Sequence, residues 1–362
     1  GYEVVAVSSP GELLDEFALR EGVRAHGVEM ERHISPLKDL KSLVGLIRVF
    51  RRERPAMVHS MTPKAGLLAM MAAWVCRVPV RLHTFTGLVF PTATGLKQKI
   101  LIFTDRLTCA CATHIVPEGE GVKRDLVSYS ITKKPMEVLG HGNVRGIDLE
   151  RFNPHLPEVQ AKVAEIRKPG VFTFVFIGRL VGDKGLNELV EAFVRVNSEY
   201  PATRLLLVGR QEPELDPLRP ETLALINQHS SIDAVGSQSD VRPWLAAADA
   251  FVFPSYREGF PNVVIEAGAM GLPSIVTDIN GSREIIIEGK NGTIIPPRNA
   301  DALYGAMKAM IDNPEELKEM AAGARQLIAA RYEQGYVRRC LKDYYRKLLL
   351  QREKPASTGA DA

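Results

Sequence analysis

The sequence predicts an α/β protein of two domains, each a parallel sheet flanked by helices. Short Val/Ile-rich runs alternate with helical patterns along the whole chain. The runs are apolar without strict alternation, as strands covered on both faces are. A length of 362 residues exceeds what one ordinary core encloses.

The predicted strands are 4–8, 57–60, 80–85 and 114–116, then 172–177, 204–208, 231–235, 250–253 and 274–277. Each ends in or near Gly, Ser or Pro and leads toward a helical pattern. The opening Gly1-Tyr2-Glu3-Val4-Val5 already reads as strand, so a first βα unit is expected to be missing. Arg151-Phe152-Asn153-Pro154-His155-Leu156-Pro157 is turn-rich, and a new strand series begins at Val171. These signals divide the chain into an N-terminal domain over 1–155 and a second domain over 156–332. A basic, tyrosine-rich helix over 333–354 is expected to pack back on the first domain. A small, polar, disordered tail is expected over 355–362.

Composition excludes several classes. Apolar residues make up 45% and charged residues 25%, as in soluble globular proteins. A net charge of +3 is no nucleic-acid signature. The basic excess lies in the first domain, with Arg48, Arg51, Arg52 and Arg54 clustered as a solvated helix end or a membrane-facing patch. Four cysteines without a C-x-x-C pair fit a reduced, cytoplasmic setting. No run approaches the roughly 18 apolar residues of a spanning helix, and no signal peptide is read.

The chemistry-bearing stretch is Arg257-Glu258-Gly259-Phe260-Pro261-Asn262-Val263-Val264-Ile265-Glu266. Pro261 suits the first turn of a helix, which puts Glu258 on the entering loop and Glu266 inside the helix. The unbonded N–H groups near Asn262 and Val263 would form an anion site. Two acids beside such a site fit a sugar nucleotide, with diphosphate on the amides and hydroxyls on the carboxylates. Two surface acids on a helix are the plain alternative.

The neighbouring strand ends point the same way. Gly178 follows a strand, and Arg179 and Lys184 are expected to converge beyond it on a diphosphate, or to form a solvated basic loop. Gly209 with Arg210, and Gly236, follow two further strands, where glycine permits close backbone approach or simply turns the chain. In a parallel sheet all these ends share one rim.

Together these residues resemble the retaining glycosyltransferases of family four, which have the two-domain GT-B fold. The matching motifs are Gly178-Arg179-Leu180, Asp183-Lys184-Gly185, Pro254-Ser255-Tyr256-Arg257-Glu258-Gly259-Phe260-Pro261, Glu266-Ala267, Gly271-Leu272-Pro273, Gly281-Ser282-Arg283-Glu284 and Asn291-Gly292. They cover 171–300 densely and the first domain more sparsely. There, His83-Thr84-Phe85-Thr86-Gly87 looks like a subgroup acting on polyprenyl-diphosphate-linked saccharides in surface-glycan assembly.

The resemblance implies two Rossmann-like domains facing a central cleft and a UDP-sugar donor. It implies a saccharide or lipid-linked acceptor and no metal or other cofactor. Arg179 and Lys184 would hold the diphosphate, Glu258 the donor sugar and Glu266 the ribose. Backbone N–H groups over Gly259, Phe260, Asn262 and Val263 would touch sugar and phosphates; Pro261 has none. His83 would face the cleft and position the sugar, or be a part-buried histidine bonded to a loop. Val144 and Arg145 interrupt the family's N-G-V-D turn, so no donor contact carries over onto Asn143. Gly87-Leu88-Val89-Phe90-Pro91, with the arginine cluster, is expected either to face an anionic bilayer at the inner side of the cytoplasmic membrane or to pack on the first domain. A nucleotide-sugar epimerase and a non-catalytic nucleotide-sugar binding protein remain as alternatives.

Overall fold

A computed structural model describes residues 2–31, 35–212, 214 and 216–353. The expected disordered tail lies outside them. The chain forms two compact units, one of Gly1–Glu118, Val122–Val138 and Lys342–Ala362, the other of Gly119–Gly121 and Leu139–Leu341.

The first unit holds β1 (Val5–Ser8), α1 (Glu12–Glu21), β2 (Arg24–Gly27), α2 (Pro36–Glu53), β3 (Met57–Ser60), α3 (Pro63–Val75), β4 (Val80–Phe85), α4 (Gly95–Cys111) and β5 (His114–Pro117), and α5 (Glu120–Ser128) begins at its boundary. β1 and β2 form one parallel pair, and β4 lies between β3 and β5 in a second parallel sheet. Pro36 and Pro63 start their helices where a missing N–H costs nothing. α3 is apolar all round and buries Met70, Ala72 and Ala73 completely. Leu46, Phe85, Phe90, Ile115 and Leu126 complete that core.

Of the two expectations for Gly87–Pro91, packing on the first domain is the one the structure shows. Leu88 and Phe90 are buried in the core, and Val89 is the one large apolar side chain of Gly87–Pro91 that is exposed. The loop packs on its own unit because its apolar groups find more buried surface there than solvent offers.

The second unit continues with α6 (Pro157–Ile166), β6 (Phe172–Ile177), α7 (Leu186–Glu199), β7 (Thr203–Val208), α8 (Pro220–Gln228), β8 (Ile232–Gly236), α9 (Arg242–Ala246), β9 (Ala250–Phe253), α10 (Asn262–Ala269), β10 (Ser274–Thr277), α11 (Ser282–Ile285), β11 (Gly292–Ile295), α12 (Ala300–Asp312), α13 (Pro314–Tyr332) and α14 (Gln334–Glu353). Its sheet is parallel throughout, in the order β11-β10-β9-β6-β7-β8. Strands added after β6 run to one side and those from β9 onward to the other. The order therefore reverses between β6 and β9, and ligands of open α/β sheets bind at such a point, beyond the carboxyl ends. β7 and β9 are wholly buried, and Phe251 and Phe176 stack on Phe253 at 5.9 Å.

From Lys342 onward α14 belongs to the first unit. Its Tyr345 hydroxyl bonds His59 Nδ1 at 2.5 Å, and Lys347 pairs with Glu137 at 2.8 Å.

Candidate functional site

The loops after β6 and β9 flank the reversal point of the second unit, and they carry the predicted residues. Gly178, Gly209 and Gly236 stand side by side at the ends of β6, β7 and β8. The Gly178 N–H donates to Val208 O at 3.0 Å, and the Gly209 N–H to Gly236 O at 2.9 Å. Gly209 is required: a Cβ on it, at φ 150°, would lie 1.8 Å from the Gly178 carbonyl oxygen. Absent side chains leave this rim open at backbone level.

Lys184 closes a short 3-10 turn after β6, and Glu258 lies in the loop after β9. Their side chains form an ion pair only 13% and 18% exposed. Ser255 Oγ donates to Glu258 Oε1 at 2.8 Å, and Lys184 Nζ sits 5.7 Å from the centre of the Phe253 ring. Glu258 is thus held by two neighbours before any ligand arrives.

Arg179 and Lys184 rest on different carboxylates. Arg179 pairs with Glu212 at 3.0 Å, and Arg210 reaches the same carboxyl at 2.7 Å. Hydrogen bonding from Arg179, then Arg210, holds the Glu212 carboxyl below its ordinary pKa against the opposing effect of burial. Each cation of the rim therefore rests on a carboxylate. A diphosphate can replace that carboxylate in the same charge-assisted geometry.

α10 begins at Asn262, one residue later than predicted, with Pro261 as its N-cap. No side chain caps it, so its first N–H groups lie free beside Glu258 in sequence. Phe260 and Pro261 are buried, Phe260 edge-on to Tyr332 at 5.6 Å, so only the Phe260 backbone is offered to a ligand. Gly281 packs under this corner: a Cβ there would lie 2.5 Å from Gly259 O.

Glu266 sits inside α10, and burial raises its pKa while Arg145 opposes the shift. Arg145 Nη1 lies 3.3 Å from Glu266 Oε1. Asn143 is left-handed at φ 62°. Its side-chain oxygen accepts from the N–H groups of Arg145 and Gly146, and its amide donates to Asn262 Oδ1 at 3.0 Å. The residues that interrupt the N-G-V-D turn thus supply a counter-ion for Glu266. Asn143 itself is spent on the turn and on the start of α10.

Sequence reasoning missed Glu212, Ser255 and Arg145 as members of this set. Ser255 stands in the quoted motif and was readable there. Glu212 follows Arg210 by two residues, yet nothing in that spacing shows that it bridges two arginines.

His83 lies in the first unit, within β4. The residue is 2% exposed, its ring bonded through Nδ1 to Ser60 Oγ at 2.8 Å and edge-on to Phe85 at 4.5 Å. Of the two expectations, the buried, hydrogen-bonded histidine is the nearer, with Ser60 of β3 rather than a loop as its partner. Burial, with His59 nearby, pushes its pKa down to about 3 and keeps the ring neutral. Gly66 makes room for it, since a Cβ there would meet the ring at 2.4 Å.

Among the described residues no group of three or more His, Cys, Asp or Glu could hold a metal ion, and no helix is long and apolar enough to cross a membrane.

Comparison with known proteins gives the family and the fold. Residues 160–327 match the model of the glycosyl transferases group 1, and residues 1–142 that of a glycosyl transferase 4-like domain. The capsular polysaccharide biosynthesis glycosyltransferase CapM of Staphylococcus aureus is 30% identical over 97% of this chain and 91% of its own length. An Escherichia coli enzyme, UDP-Gal:alpha-D-GlcNAc-diphosphoundecaprenol alpha-1,3-galactosyltransferase, is 28% identical over 82% of this chain and 76% of its own. The crystal structure of Anabaena HepE in complex with UDP superposes with a TM-score of 0.78 at 15% identity, covering 95% of this chain and 92% of that one. The fold is shared.

Proposed function

The chain belongs to the group 1 glycosyltransferases with a 4-like first domain and the GT-B fold, and from that we propose that it transfers a sugar from a UDP-sugar to a polyprenyl-diphosphate-linked saccharide, with retention of anomeric configuration, during surface-polysaccharide assembly. The observation that carries this reading is the rim of the second unit, where Lys184 and Glu258 pair at the reversal point beside the uncapped start of α10. Donor and acceptor follow the relatives' printed chemistry. A lipid-linked acceptor puts the enzyme at the inner face of the cytoplasmic membrane as a peripheral protein.

The residues divide the work. Arg179, Arg210 and Lys184 exchange their carboxylate partners for the diphosphate, joined by the N–H groups of Phe260, Asn262 and Val263. Close approach at Gly178, Gly209, Gly236 and Gly259 lets backbone meet nucleotide and phosphate. Glu266 accepts the ribose hydroxyls. Glu258, freed from Lys184, accepts donor-sugar hydroxyls and orients the anomeric carbon. The acceptor oxygen attacks on the face from which the diphosphate departs. The bond from the anomeric carbon to the β-phosphate oxygen breaks, the acceptor's proton passes to the departing phosphate oxygen, and UDP leaves. No enzymic base is needed. The fixed cations and amides stabilise the leaving charge without a metal ion. His83, neutral and bonded to Ser60, takes no proton-transfer role; any contact it makes with the donor is through its backbone.

A donor panel with an undecaprenyl-diphosphate-linked saccharide tests the reading, with and without EDTA. UDP release with a new glycosidic bond, unchanged by EDTA, is expected. Donor isomerisation without UDP release would replace it with an epimerase, and binding alone with a sensor.

A further inference from the structure

Glu188, in the first turn of α7, is only 8% exposed, and the transfer chemistry proposed above does not use it. Helix amide ends favour an acid in the first turn, but an exposed acid gains that as well. Its burial needs a further reason, because charged side chains are almost never buried unless paired. Two partners reach this carboxylate. The Tyr256 hydroxyl donates to Oε2, and Arg219, at the start of α8, lies 3.7 Å from Oε1. Arg219 is itself held, its N–H donating to Asn187 Oδ1 at 3.1 Å.

Tyr256 links this carboxylate to the donor rim, since it stands two residues before Glu258 in the loop after β9. Burial, then the bond to Glu188, pushes the phenol's pKa up, so it keeps its proton and donates. The Arg298 guanidinium, from the segment after β11, lies 4.7 Å from the centre of the Tyr256 ring. The Tyr256 N–H donates to Asp183 O at 2.8 Å, one residue before Lys184. Arg257 Nη2 lies 3.6 Å from Asp183 Oδ2. Gly185, at φ 73°, abuts Pro254: a Cβ there would lie 2.1 Å from Pro254 O. The loops carrying Lys184 and Glu258 are thus fastened to each other, and the Tyr256 hydroxyl anchors the second of them to α7. Phenylalanine would supply the same ring for Arg298, so the bond to Glu188 is what a tyrosine adds.

We infer, resting on the transferase reading above, that Glu188 and Tyr256 are positioning residues for sugar transfer. Their hydrogen bond holds the backbone beneath Glu258 in place while the Glu258 side chain exchanges Lys184 for the donor sugar. Neither residue touches the donor; both act through Glu258.

The test compares wild type with Tyr256→Phe, Glu188→Gln and Tyr256→Phe/Glu188→Leu in the transfer assay. Tyr256→Phe keeps the ring and loses the bond, and its kcat is expected to fall about 10–100-fold, as misalignment costs. Its donor KM and UDP Kd should stay within about threefold of wild type, because the binding contacts remain. Glu188→Gln keeps an acceptor for the phenol and should hold kcat within about threefold. The double variant strands no carboxylate, and replacing both partners by apolar groups can be nearly neutral for stability. Its kcat should nevertheless stay as low as that of Tyr256→Phe; recovery would trace the loss to an unpaired buried charge and overturn the inference. Tyr200→Phe removes a similar phenol–carboxylate bond, to Asp312 at the far end of α7, and should leave kcat unchanged. Hydrogen exchange without donor reads the fastening itself. The amide of residue 256, bonded to Asp183 O, should exchange about 10-fold faster in Tyr256→Phe. Wild-type kcat in Tyr256→Phe, UDP affinity lost along with kcat, or unchanged exchange at residue 256 would each overturn the inference. A wild type that transfers no sugar from any donor would instead strike the transferase reading, while faster exchange in the variant would still uphold the clamp.

Discussion

Glu266→Ala measures what the proposed ribose contact is worth. Charge-assisted hydrogen bonds contribute about 1.5–3 kcal/mol each, and two hydroxyls meet one carboxylate. Against this stands the Arg145 partner, which UDP must displace. That pair is 3.3 Å long and Arg145 is 57% exposed, so it returns only about 0–1 kcal/mol. Because the two bonds share one carboxyl and their energies do not add fully, the net loss is taken as about 2–3 kcal/mol, or about 30–150-fold in Kd for UDP. Isothermal titration with UDP reads it. A cycle with 2′,3′-dideoxy-UDP isolates the contact: wild type should bind that analogue about as weakly as the variant binds UDP, and the variant should lose little more with it. UDP affinity of Glu266→Ala within threefold of wild type would refute the assignment. So would a cycle in which the two losses add in full.

The remaining predictions concern charge and close approach. Glu258→Ala should lower turnover about 100-fold or more while UDP affinity stays within a few-fold, read by steady-state kinetics beside titration. It also strands Lys184, at a cost bounded by the roughly 3–5 kcal/mol of a fully buried pair, so urea midpoints should fall in parallel. UDP affinity should fall on acidification from a pH above the ordinary glutamate value of 4.5, because Glu266 titrates high and only its carboxylate accepts both hydroxyls. Stability runs the other way for that residue. Its charged form is penalised by burial, protonation relieves the penalty as pH falls, and Glu266→Gln should raise Tm at neutral pH. Arg145→Ala should move the acid limb of UDP binding to higher pH, since Arg145 opposes the effect of burial. His59 and His83 titrate at about 4 and about 3 in the fold, against 6.5 unfolded. Their stability contribution is complete above pH 6.5 and is lost on acidification through the folded values, at up to about 1.4 kcal/mol per pH unit for each ring. Chemical denaturation from pH 7 to pH 4 should show that slope, and His59→Gln should reduce it. Gly209→Ala, whose Cβ would meet Gly178 O, should destabilise the second unit by several kcal/mol or prevent its folding.

What was legible in the sequence follows from the range of the interactions involved. Strands β3, β4, β6, β9 and β10 were read within a residue of their ends because short runs rich in apolar and β-branched residues near glycine or proline are local signals. β2, with Arg24 and His26, and the short β11 were missed. The first is too polar to resemble a buried strand, and the second hides in the Asn291-Gly292 motif. The burial of Phe90 and His83 was equally out of reach. An apolar loop and a strand-end histidine read alike whether they face solvent or core, and their packing against Tyr129 and Gly66 decides it.

Charge partners were less legible still, and they alter the meaning of the site. The sequence showed Arg179, Lys184, Glu258 and Glu266 as separate ligand contacts. In the fold each is already paired, to Glu212, Glu258, Lys184 and Arg145 respectively. Four charges placed at one rim without ligand would otherwise bear their full desolvation cost, and pairing reduces it. The same pairing sets the exchange that donor binding must perform. On the proposed reading a diphosphate would displace carboxylates from the cations, and Glu258 would be released toward the sugar as Lys184 turns to phosphate. Binding is thus expected to gain less than the donor's new contacts alone would give, because the cations already have partners. In return Glu258 would be free to meet the sugar only when a diphosphate has taken its place.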